Sequence, residues 1–167
     1  MSLDNIQMTP ELVVDLYKKS LVDVVISKLN THRLKDGRWP FWGNNEKKIL
    51  IIVNEKNHDV VSDKEFKFLK TILSACSLSV ADIALANFFT SPDMVYPTLM
   101  DTFSPQKIIF FGIEPSTLGF PLQFPYYQIQ KYNDQTYLSV PSLGKIAADI
   151  TQKKQLWNCL KTLFSST

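Results

Sequence analysis

Two continuous apolar runs constrain this chain most: "KILIIVN" over Lys48–Asn54 and "KIIFFG" over Lys107–Gly112. A run without a polar face has nothing to show to water, so a strand built from it must be covered on both sides. A third run of strand length, "ADIALANFF", lies between them. The intervening segments read as helices. Ser62 and Glu65 spell a capping box that opens a helix with Phe66, Leu69, Ile72, Leu73 and Cys76 inward. Ser91 with Pro92 is expected to start another through Met100. A last helix presents Leu156, Trp157, Leu160, Leu163 and Phe164 on one face. Strands alternating with helices imply parallel neighbours joined by crossovers. The expected fold is α/β, a three-layer α/β/α sandwich around a mainly parallel sheet of about four strands. Between Phe120 and Val140, "YYQIQ" and "TYLSV" flank "KYNDQ", which predicts a hairpin or a bent edge pair.

The 167 residues suit a single domain over 1–167, which at this size buries about 68–70% of its unfolded surface. Residues 1–8 read as a flexible tail, followed by a helix over Pro10–Lys28 with Thr9 as N-cap. Its polar residues Glu11, Asp15, Lys19, Asp23 and Ser27 form one narrow stripe and nearly everything else is apolar. An arc that wide implies either deep burial or a partner. With 45% apolar and 20% charged residues the composition is that of a soluble globular protein. The apolar runs are far too short to span a bilayer, and the opening residues lack the pattern of a secretory signal. Cys76 and Cys159 read as reduced packing thiols in a cytoplasmic protein. His32 has no ligand at metal spacing, so neither a metal nor a cofactor is expected.

Between Lys28 and Lys48 six basic residues stand against Asp36 and Glu46, a local balance of +4. This irregular segment, 30–47, holds Arg33, Lys35 and Arg38 beside Trp39, Phe41 and Trp42. Basic residues interleaved with aromatics can contact a partner or stack on nucleic-acid bases. The same aromatics can instead pin the segment to the core, and that reading is preferred because buried Trp and Phe usually serve packing.

In folds of this class ligands bind beyond the carboxyl ends of the strands. That directs attention to Asn54–Asp59, Asn87–Pro92, Gly112–Ser116 and Val140–Gly144. The cleft is expected to be lined by Asn54, Glu55, His58, Asn87, Gly112, Val140 and Ser142. A carboxylate and an imidazole in "NEKNHD" could together activate a water, although His58 and Asp59 also suit an exposed, hydrated loop. No glycine occurs in "NEKNHD", which excludes a phosphate-cradling loop. Ser142 lies outside any Gly-x-Ser-x-Gly elbow. In "SVPSLGKI" Pro141 fixes one φ angle and Gly144 frees another.

Taken together, these loops resemble the uracil-DNA glycosylase superfamily, over about residues 43–164. In "IIVNEKN" Glu55 falls at the family's polar catalytic position, with Asn54 and Asn57 where that family has Gly and Pro. "ADIALANFFTSP" places Asn87 at the residue that pairs with the uracil edge. "VPSLGKIAADITQKKQLW" matches a His-Pro-Ser motif with Val140 in place of His. The resemblance implies that the oxyanion donor is lost, since a valine donates no hydrogen bond, at a cost of roughly 100- to 1000-fold in rate. The C-terminal stretch also resembles the psi subunit of bacterial DNA polymerase III, a glycosylase-fold family without glycosylase activity that links the clamp loader to the chi subunit.

These resemblances imply a non-catalytic protein that binds a protein partner in DNA replication or repair, with DNA contact a weaker expectation. Two alternatives follow from the same residues. One is a divergent glycosylase in which Glu55 orients water and Asn87 reads the base. The other is a small-molecule-binding domain using His58 and Asn87.

Overall fold

The computed structural model describes residues 31–33, 40–58, 60–91, 94–121 and 123–165. The expected tail 1–8 and helix Pro10–Lys28 lie outside them, as do Lys35, Arg38, Trp39, Asp59 and Pro92. The chain is mixed α/β. Seven strands form one sheet: β1 (Thr31–Arg33), β2 (Pro40–Trp42), β3 (Ile49–Val53), β4 (Ile83–Asn87), β5 (Lys107–Phe111), β6 (Ile129–Tyr132) and β7 (Gln135–Val140). Their order is β1-β2-β4-β3-β5-β7-β6. The four central strands, β4, β3, β5 and β7, run parallel, and the outer three pair antiparallel.

The parallel centre is where the apolar runs fall, for the reason they imply. Every residue of β3 is at most 3% exposed, because helices and loops cover both faces. On one face Ile49, Ile51 and Val53 pack with Phe66, Leu69 and Leu73 of α1 (Asp63–Ala75), Leu143 and Ile146 of α3 (Leu143–Ala147), and Leu156, Leu160 and Leu163 of α4 (Ile150–Ser165). On the other, Leu50 and Ile52 meet Leu99 and Phe103 of α2 (Tyr96–Phe103) and the aromatic group Phe110, Phe120, Phe124 and Tyr137. A buried aliphatic side chain contributes about 1.5–3 kcal/mol, so these two clusters dominate the stability of the sheet.

Three expectations need correction. The sheet has seven strands rather than about four, because antiparallel edge strands extend both sides of the parallel centre. Segment 30–47 is not irregular throughout: it supplies β1 and β2, and β2 pairs with β4 through Phe41↔Ala86 and Trp42↔Leu85. Phe41 and Trp42 serve packing, on opposite faces as a strand requires. The Trp42 ring meets Phe66 edge-on at 4.8 Å and Phe41 meets Phe103 at 5.2 Å. Gly43 then turns the chain against β4, with φ +98° and the place of a Cβ only 2.1 Å from the Ile83 carbonyl oxygen. Finally, α2 starts at Tyr96 and not at Ser91. Ser91 instead closes a turn, its N–H donating to the Phe88 carbonyl, and its own carbonyl accepts the Met94 N–H.

The other punctuation holds. Ser62 and Glu65 form the reciprocal capping box at the start of α1. β6 and β7 are a hairpin whose two turn residues, Asn133 and Asp134, have φ of 50° and 63°, the primed turn that Asn and Asp tolerate.

Candidate functional site

Register brings the four strand-end loops together. Val53 pairs with Asn87 and with Phe111, and Phe111 pairs with Val140, so the residues that follow emerge along one edge of the parallel centre. Across this edge lie Asn54 and Glu55 after β3, Asn87 at the end of β4, Gly112 after β5, Val140 at the end of β7 and Ser142 beyond it. The loop after β3 also carries His58.

Asn87 is fully buried and its amide is fully used. Its Oδ1 accepts the backbone N–H of Glu55 at 2.9 Å and of Phe89 at 3.1 Å. Its Nδ2 donates to the carbonyls of Glu55 at 2.8 Å and His58 at 3.0 Å. Two donors and two acceptor positions exhaust what a carboxamide can do. The side chain therefore clamps the loop after β3 onto the end of β4, and in this arrangement it offers nothing to the edge of a base.

Glu55 is half-buried and sits beside Glu65, which sequence reasoning treated only as a helix cap. Burial, followed by the charge and hydrogen-bonding contact of Glu65, pushes the Glu55 carboxyl above its ordinary range, against a smaller opposing pull from His58. Glu65 is itself fixed: its Oε2 accepts from the Ser62 hydroxyl at 3.0 Å, and the Glu65 N–H donates back to that hydroxyl at 3.2 Å. The capping box was legible, but the approach of Glu55 depends on how the loop is clamped, which no local pattern encodes.

The opening of α3 is wedged between its neighbours. Gly112 has φ +70°, and a Cβ there would lie 2.8 Å from the Ser142 Cβ. A Cβ on Gly144 would lie 3.1 Å from Glu65 Oε1, a tight contact with the end of one side chain, and its φ lies outside the left-handed region. Ser142 is the N-cap of α3, its hydroxyl accepting the Lys145 N–H at 3.4 Å. Val140 is fully buried in the cluster with Val53 and Leu143. Asn54 and His58 are exposed.

The edge can thus hold and release a proton at Glu55. The Val140 side chain supplies no donor to a developing oxyanion. Among the described residues no three His, Cys, Asp or Glu side chains converge as a metal site. Of the basic and aromatic residues of 30–47, Arg33 lies on β1 and Trp42 is half-buried against Phe66. Among the described residues no helix is long and apolar enough to cross a membrane. Compared with protein-family models and with curated proteins, the chain matches none.

Proposed function

We propose that this chain is a glycosylase-like three-layer α/β/α protein that has given up base excision and acts by binding a protein partner, in the manner of the psi subunit of bacterial DNA polymerase III. The observation that carries this reading is the Asn87 clamp. The residue that would read a base spends both donors and both acceptor positions on the backbone of its own strand-end loops. The buried Val140 at the oxyanion position supports the same reading. An active glycosylase would need Asn87 released from four hydrogen bonds and a donor brought in from elsewhere.

The test has two arms. A uracil-containing oligonucleotide is incubated with protein in excess over DNA, and size-exclusion chromatography measures complex formation with a reconstituted clamp loader and a chi subunit. The expected result is no base release together with co-elution. Uracil release by the wild type that Glu55→Gln abolishes would overturn the non-catalytic reading, and failure to co-elute with either protein would overturn the psi-like assignment.

A further inference from the structure

The turn end of the β6–β7 hairpin is fastened to α2 by two hydrogen bonds between side chains. Asn133 Nδ2 donates to the Tyr96 hydroxyl at 3.0 Å, and Gln135 Nε2 donates to the Met100 thioether sulfur at 2.7 Å. Tyr96 and Met100 stand four apart on α2 and so share a face, and the Tyr96 ring also meets Tyr132 of β6 at 6.5 Å. The orientation of Gln135 is fixed from behind. The Tyr137 hydroxyl donates to Gln135 Oε1, and Tyr137 is itself fully buried, its ring stacked on Phe110 and on Phe124. A thioether can only accept, so with Oε1 taken by the phenol the amide nitrogen is left pointing at the sulfur. Met94, the other methionine among the described residues, is fully buried in the same cluster. Met100 is half-buried at its margin, so a small oxidant in solution reaches the one and not the other.

We propose that Met100 is a site of reversible oxidation by hydroperoxides that controls the fastening of the hairpin to α2. The sulfur attacks the terminal oxygen of the hydroperoxide, the O–O bond breaks, and the proton of the attacked oxygen passes to the leaving oxygen, which departs as water or an alcohol. Sulfur loses two electrons, the peroxide gains them, and the product is methionine sulfoxide, polar and chiral where a flexible apolar group lay. Gln135 engages one lone pair of the sulfur and oxidation consumes the other. The sulfur becomes a poorer acceptor, and a polar oxygen is set against an apolar cluster, where it costs stability unless a donor follows it. The Gln135 amide then turns to that oxygen or to solvent, and in both cases the present fastening is lost. Because β6 is the outer strand on its side of the sheet, oxidation loosens an edge of the sheet, at the end of β7 remote from Val140. Sulfoxide reductases return the thioether, so the change is reversible. The inference does not depend on which partner the strand-end edge binds.

The experiment treats the folded protein with hydrogen peroxide, locates added oxygen by peptide mass mapping, and follows hydrogen exchange over the hairpin. Met100 should gain one oxygen atom while Met94 stays unmodified, hairpin protection should fall severalfold, and methionine sulfoxide reductases should restore it. Met100→Leu, close in volume and without an oxidisable sulfur, should keep its protection in peroxide although Cys76 and Cys159 are still present. Gln135→Glu still accepts from Tyr137 but offers the sulfur no donor, and should show the loosened hairpin without peroxide. Three results would each overturn the proposal: a Met100 left unmodified at peroxide doses that oxidise free methionine, a modified Met100 with unchanged hairpin protection, or an equal loss of protection in Met100→Leu. Full hairpin protection in Gln135→Glu would overturn it as well, since the bond to sulfur would then fasten nothing.

Discussion

Asn87 and Glu55, thirty-two positions apart, are joined by two opposed hydrogen bonds: Asn87 Oδ1 accepts the Glu55 N–H at 2.9 Å and Asn87 Nδ2 donates to the Glu55 carbonyl at 2.8 Å. This is the pairing a neighbouring strand would make, supplied by one side chain beyond the last register pair of β3 and β4, Val53↔Asn87. The carboxamide thereby extends the sheet past the point where the backbones diverge.

Asn87→Ala should therefore cost on the order of 3 kcal/mol, from four hydrogen bonds each worth about 1 kcal/mol and partly replaced by water. Asn87→Asp should cost at least as much, because a carboxylate would face the Glu55 and His58 carbonyls that now receive donors. Urea denaturation checks both, with an unchanged m-value expected if only the native state is affected.

Glu55 predicts a sign for pH dependence. Its carboxyl is raised above the ordinary value by burial and by Glu65, so the folded chain binds its proton more tightly than the unfolded chain. Between the two pKa values the folded state holds more protons, and stability falls as pH rises through that window. Below the unfolded value the contribution is fully present. Glu55→Gln should flatten this part of the profile and leave the protein more stable than wild type at neutral pH. Thermal denaturation across the acid-to-neutral range measures it. A Glu55→Gln profile as steep as the wild type would contradict the assignment.

Gly112→Ala should destabilise by about 2–4 kcal/mol, since the new Cβ combines an unfavourable φ with overpacking. The φ is +70° and the atom would stand 2.8 Å from the Ser142 Cβ. Neither neighbour can yield cheaply, because Ser142 caps α3 and Gly112 donates its N–H to the Val140 carbonyl. Asp134→Gly should act in the opposite direction, stabilising by about 0.5 kcal/mol, because Gly suits the second position of a primed turn at φ 63°. Chemical denaturation of the two variants side by side distinguishes a glycine needed for fit from a turn that would welcome one.

What the sequence disclosed followed from local chemistry. Ile49–Val53 and Lys107–Phe111 had no polar face, so burial between two layers was the only outcome open to them. The Ser62–Glu65 box and the Asn133–Asp134 turn act within four residues of chain, and both are found where expected. The misreadings concern partners far away in sequence. β1 and β2 are three residues each, too short for a period to register, and β2 draws its order from the outer edge of β4. Gly144 suggests backbone freedom, whereas its φ is not left-handed and its near neighbour is the end of the Glu65 side chain. Asn87 was legible as a polar residue ending an apolar strand. Its use was not, because its partners are backbone groups whose position depends on the folded loop.

Val140→His would place an imidazole where the proposed glycosylase likeness calls for one, but not in a usable position. Val140 is fully exposed to neither solvent nor cleft: it is buried with Val53, Leu143 and Ile146 in the core beneath α3. An imidazole there loses the packing of the valine and brings two ring nitrogens into an apolar cluster, a combined cost on the order of 2–4 kcal/mol. It also leaves Asn87 tied to the Glu55 and His58 backbone, so nothing is freed to hold a base. The expected result is a less stable protein with no gain in uracil release. Measurable excision by Val140→His, at a urea midpoint equal to the wild type, would mean that the side chain at 140 reaches the cleft and that Asn87 can let go of its loop.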